Sequence, residues 1–89
     1  MKAVITVIGK DRVGIIYSVT QILAKSKINI LDISQTIMQD IFTMIMLVDI
    51  SKNEVSFAEI SDKLKDLGEE LGLSIRIQHE DIFNSMHRI

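Results

Sequence analysis

Two stretches of this chain, residues 3–8 and 42–50, are apolar on both alternating faces of an extended strand, with Thr6 the exception in the first. A strand with two apolar faces has to be flanked on both sides, so both stretches belong at the centre of a sheet. The rest of the chain arranges itself around that pair. Residues 28–38 are also β-rich, but Asp32, Ser34, Gln35 and Thr36 suit an edge. The apolar phase shifts there between Ile30 and Leu31, which predicts a β-bulge within residues 29–32. A tight turn at Gln39 and Asp40 leads into the third strand, and Leu73, Ile75 and Ile77 alternate with Ser74, Arg76 and Gln78 as a strand with one wet face.

Two helices separate these strands. Over residues 13–26 the apolar positions Ile15, Ile16, Val19, Ile22 and Leu23 recur at helical spacing. The second helix is marked at both ends. Ser56 and Glu59 form a capping box flanked by Val55 and Ile60 in the staple positions, so the helix is expected to start near Phe57. Its stripe of Phe57, Ile60, Leu64, Leu67 and Leu71 ends at Gly72, well placed just past the last turn. Gly68 interrupts the helix, at a cost of about 0.5–1 kcal/mol relative to Ala. Ile82, Phe83 and Met86 fall on one side of a short tail helix with Asp81 as its cap.

Strand, helix, strand, strand, helix, strand is the order of two split strand-helix-strand units with right-handed crossovers. The expected fold class is α+β: a ferredoxin-like βαββαβ sandwich, with a four-stranded antiparallel sheet, two helices on one face, and a short C-terminal helix. The 89 residues have room for one domain, spanning 1–89, with its core at about 3–78 and the helical tail at about 81–88. Both central strands then present apolar side chains on the face away from the helices, and a patch of that kind marks an interface. A homodimer is expected, by stacking of sheet faces or by pairing of the polar edge strand. Phe42, Met38, Met44 and Met46 are expected to fill the core or that interface.

Composition excludes several functions. With 47% hydrophobic residues the chain is too apolar for disorder, and no apolar run is long enough to span a bilayer, so no membrane partner is expected. The start of the chain carries no secretion pattern, and a cytoplasmic setting is the expectation. There are no cysteines, hence no disulfides and no thiolate metal sites. A net charge of -2, with both signs interspersed, argues against a nucleic-acid partner. His79 and His87 lack the short spacing of zinc-binding pairs, so no metal is expected and both read as surface or packing residues. Gly9 and Gly14 match neither a phosphate loop nor a dinucleotide fingerprint, so no cofactor is expected. The chain has no nucleophile and base constellation and does not read as an enzyme.

The chemistry concentrates in the run Thr6-Val7-Ile8-Gly9-Lys10-Asp11-Arg12-Val13-Gly14-Ile15-Ile16, followed one helix later by Asn29-Ile30. A strand passes through a short polar loop into a helix, whose first amides suit a carboxylate. Asp11 and Asn29 can accept hydrogen bonds from an ammonium group. Each residue also has a plainer role. Asp11 can cap the helix, and Asn29 can be a bulge or turn residue. Arg12 is either solvated or a carboxylate clamp for a neighbouring subunit. Gly14 suggests close packing or close backbone approach, and Asp32 either caps the bulge or faces the site.

On these residues and this element order, the chain resembles the ACT domain, a small-molecule-binding regulatory module of amino-acid metabolism, from about residue 3 to about residue 78. It is most similar to small free-standing bacterial ACT proteins with a short C-terminal helix, and also to the ACT modules of formyltetrahydrofolate deformylase and the glycine cleavage repressor. The resemblance implies an amino acid or related small carboxylate bound between subunits of a homodimer that regulates an enzyme or regulator. It implies a site lined by Asp11, Arg12, Gly14, Ile15, Asn29 and Ile30, with Asp32 nearby. Serine- and phenylalanine-binding members often have His, Asn and Pro where Gly9, Asp11 and Val13 stand. The alternative expectation is a ligand-free module that binds another protein through the apolar sheet face.

Overall fold

The computed structural model describes residues 2–10, 13–50 and 56–81. Its elements follow the order β1 (Lys2–Lys10), α1 (Ile15–Lys25), β2 (Asn29–Met38), β3 (Ile41–Asp49), α2 (Phe57–Leu71) and β4 (Leu73–His79). The four strands form one antiparallel sheet in the order β2-β3-β1-β4, the ferredoxin-like arrangement, with the two doubly apolar strands at its centre.

Register explains which side chains meet the helices. Ala3, Ile5 and Val7 of β1 stand opposite Val48, Met46 and Met44 of β3, and all six are buried. Onto this face pack Ile15, Val19 and Leu23 of α1 and Ile60 and Leu64 of α2, joined by Phe42 and by Leu73, Ile75 and Ile77 of β4. Met44, Met46 and Phe42 are therefore core residues, whereas Met38, near the end of the edge strand, is 70% exposed. The opposite face is less apolar than the two-sided pattern suggests. Ile8 and Ile45 are exposed there, but Val4 is buried between its cross-strand neighbours Leu47 and Gln78, and Thr6 and Thr43 interrupt the patch.

The edge strand β2 bulges where the phase shift predicts: Ile30 pairs with Val48 and Asp32 with Leu47, leaving Leu31 as the extra residue. At the other end of the sheet's connectivity, Ala3 at the start of β1 is the cross-strand partner of His79 at the end of β4. The His79 ring stacks on Phe57 at the start of α2, with centroids 4.3 Å apart and planes 11° from parallel, a packing role.

Helix α2 begins at Phe57 as expected, and the Ser56 hydroxyl accepts the Glu59 N–H at 3.2 Å. Val55 of the staple lies outside the described residues. Removing this cap with Ser56→Ala is expected to destabilise the fold by about 1 kcal/mol, read as a lower midpoint in thermal unfolding. Gly72 closes the helix in a left-handed conformation, φ 72°. Two local expectations are corrected. Helix α1 starts at Ile15, two residues later than its pattern suggests, because Gly14 before it is left-handed. Glu80 and Asp81 are themselves helical, so Asp81 does not stand before a helix as its cap. Residues 82–88 of the expected tail helix lie outside the described residues.

Candidate functional site

The residues that the sequence singles out separate into two groups. Gly14 and Ile15 adjoin the Lys10 end of β1, and Asp11 and Arg12, between Lys10 and Gly14 in sequence, lie outside the described residues. Asn29, Ile30 and Asp32 stand at the other end of the sheet. The register makes this plain: Asn29 pairs with Asp49, which pairs with Lys2, whereas Lys10 pairs with Ile41, which pairs with Met38. Eight residue steps along β1 take the strand from Lys2 to Lys10, about 26 Å at the usual rise. Within one subunit the two groups do not meet.

The first group sits where a helix begins without help from its cap residue. Gly14 has no side chain to accept a hydrogen bond, and the first turn of α1 contains no acidic residue. The first amides of any helix lack partners within it and carry its positive end. Gly14 is required here by its backbone, at φ +90°, a conformation that other residues rarely adopt. A Cβ at Gly14 would meet nothing within 4 Å, so of the two reasons expected for this glycine, close packing within the subunit is not the one.

The second group lies on the exposed edge strand, on both of its faces. Ile30, opposite the buried Val48, faces the helix layer; Asn29 and Asp32, opposite Asp49 and Leu47, share the other side. The Asp32 carboxylate accepts the Ile33 N–H at 2.8 Å and so holds the strand just after the bulge.

A feature that sequence reasoning missed joins α1 to the far half of β2. A cavity of about 380 Å³ is walled by the first turn of α1, from Gly14 to Tyr17, and by Gln35, Ile37 and Phe42. It exists because the helices do not cover the edge strand: Ile30, Ile33, Gln35 and Ile37 stand opposite Val48, Met46, Met44 and Phe42, all core residues, yet all four are exposed. Ile37 is 57% exposed and Tyr17 68%. The available signal was the apolar spacing of Ile33 and Ile37 in a strand whose polarity marks it as an edge. Among the described residues no group of histidines and carboxylates could hold a metal ion, and no helix is long and apolar enough to cross a membrane.

Comparison with known proteins agrees with this architecture. The family model for the ACT domain matches residues 2–78. A UPF0237 protein of Clostridium acetobutylicum is 64% identical over 89 residues, covering all of both chains. Among solved structures, an ACT domain protein from Streptococcus pneumoniae superposes with a TM-score of 0.80 at 40% identity, covering 93% of each chain. The regulatory subunit of aspartate kinase from Thermus thermophilus, in its ligand-free form, superposes with a TM-score of 0.67 at 25% identity, over 86% of this chain and 50% of that one. A sheet of order β2-β3-β1-β4, a glycine-started helix after its first strand, and a family match across nearly its whole described length lead to one conclusion: this chain belongs to the ACT domain family.

Proposed function

We propose that this protein is a regulatory module that works as a homodimer, binds an amino acid or related small carboxylate between its subunits, and passes the change to a partner enzyme or regulator. The observation that carries this reading is the separation of the two candidate groups in one subunit, together with an edge strand exposed along all ten of its residues. Antiparallel pairing of β2 with β2 of a second copy obeys two-fold symmetry. It would set the start of one β2 beside the end of the other, and so bring Asn29, Ile30 and Asp32 of one subunit towards Asp11, Arg12, Gly14 and Ile15 of its partner. The helix-start amides would then hold the carboxylate, while Asp11 and Asn29 accept from the ammonium group. The similarity to an aspartate kinase regulatory subunit supports the regulatory role.

The test is complementation between two variants, Asp11→Ala and Asn29→Ala. A thermal-shift panel of the standard amino acids, at fixed protein concentration, first identifies the ligand. At about 100 times its dissociation constant a ligand adds about 2.7 kcal/mol, and each kcal/mol raises the midpoint by about 4–8 °C in a domain of this size. Each variant alone is expected to lose the response and remain dimeric. Subunit exchange between the two is expected to restore it, because each mixed dimer contains one site with Asp11 and Asn29 both intact. Variants that respond unchanged, or a mixture that stays silent, would exclude a site shared in this way. A second reading, a protein-binding module using the open sheet face, draws support from the exposed Ile8 and Ile45. A flat amino-acid panel would favour it.

A further inference from the structure

The cavity between α1 and β2 carries information about the ligand's side chain. Resting on the reading of an amino-acid site at the subunit boundary, we infer that the ligand is an amino acid with an uncharged, apolar side chain, which lodges in this cavity against Ile15, Ile16, Ile37 and Phe42. The walls are aliphatic and aromatic carbon, and among the described residues that line it Gln35 and the Tyr17 phenol are the only polar side chains. Among the described residues no acid or base lines it. A charged side chain against these walls would give up water and gain no counter-charge from them, whereas an apolar one gains from the same walls.

Two further observations favour a ligand of this chemistry. Ile16 and Ile37 are exposed although they stand at the border of the core, so the apolar surface they offer is unused within the subunit. At about 380 Å³ the cavity lies near the lower end of the usual small-molecule range, about 300–1,000 Å³, which fits a single metabolite better than a larger cofactor. The gradation of affinity follows from burial. Each methylene taken from water is worth about fourfold, so leucine is expected to bind on the order of fifty-fold more tightly than alanine.

Isothermal titration of the protein with leucine, isoleucine, valine, methionine, phenylalanine, alanine, serine, aspartate and lysine tests this. The expected result is that the best binder is one of the first five, at least about tenfold tighter than serine, aspartate or lysine. Ile37→Asp changes an exposed position and should leave the core intact; it is expected to weaken the best apolar ligand by at least about tenfold. Ile16→Ser is the second variant, with the same direction of effect. If serine, aspartate or lysine binds as tightly as the apolar series, the inference fails while the amino-acid site stands. If none of the nine binds, the inference fails, and the amino-acid site fails with it only where the panel of all the standard amino acids is flat as well.

Discussion

Replacing Leu64 with alanine is expected to lower the unfolding free energy by about 2–5 kcal/mol. Leu64 is completely buried, in the middle of the α2 stripe that covers the sheet. Its removal costs the transfer energy of three carbons and leaves a cavity that the surrounding β-strands, hydrogen-bonded in a fixed register, cannot collapse to fill. A domain of this kind has a total stability of about 5–15 kcal/mol, so the loss is a large fraction of it. Urea unfolding followed by circular dichroism should show a lower transition midpoint with an unchanged slope. A loss below about 1 kcal/mol would mean that α2 does not pack on the sheet as described.

The second large effect runs against helix propensity. An alanine in place of Gly68 would ordinarily stabilise a helix by about 0.5–1 kcal/mol. Here Gly68 is buried, and a Cβ on it would lie 2.7 Å from the Leu73 carbonyl oxygen and 3.4 Å from an Ile75 side-chain carbon. A backbone carbonyl cannot rotate away as a side chain can. Overpacking of this kind costs about 1–3 kcal/mol, which exceeds the propensity gain. Gly68→Ala is therefore expected to destabilise the protein, and Gly68→Val to do so further, in the same urea experiment. If Gly68→Ala proves more stable than the wild type, the close approach of α2 to β4 is wrong.

Gly68 also illustrates what the sequence conceals. Along the chain it reads as a fault in a helix, because the residue that makes it necessary, Leu73, reaches it only through the turn at Gly72. Local signals were legible where neighbours in sequence decide the outcome: the Ser56 cap, the bulge between Ile30 and Asp32, and the two-sided apolar pattern of β1 and β3. Gly14 stands out in the sequence, but packing and positive φ leave the same mark there, and only the backbone tells them apart. Gln35 and Ile37 were missed as cavity walls because their exposure depends on how far the helix layer extends over the sheet. The separation of Asn29 from Gly14 is a property of strand direction, and a motif written as a line of text brings together what the fold sets at opposite ends.

The pairing of Ala3 with His79 has a consequence for protein architecture. Directly opposed residues in an antiparallel ladder have Cα atoms about 4.5–5.5 Å apart, so a polypeptide entering this fold at β1 leaves it from β4 almost where it came in. A host chain can carry such a unit as a side branch, with its own path barely displaced and no strand broken to admit it. The same geometry suits a free-standing protein and a segment of a longer one, as in the aspartate kinase regulatory subunit, half of which this fold matches. Evolution can thus add or remove such a unit in a single splice, because its entrance and exit are already side by side.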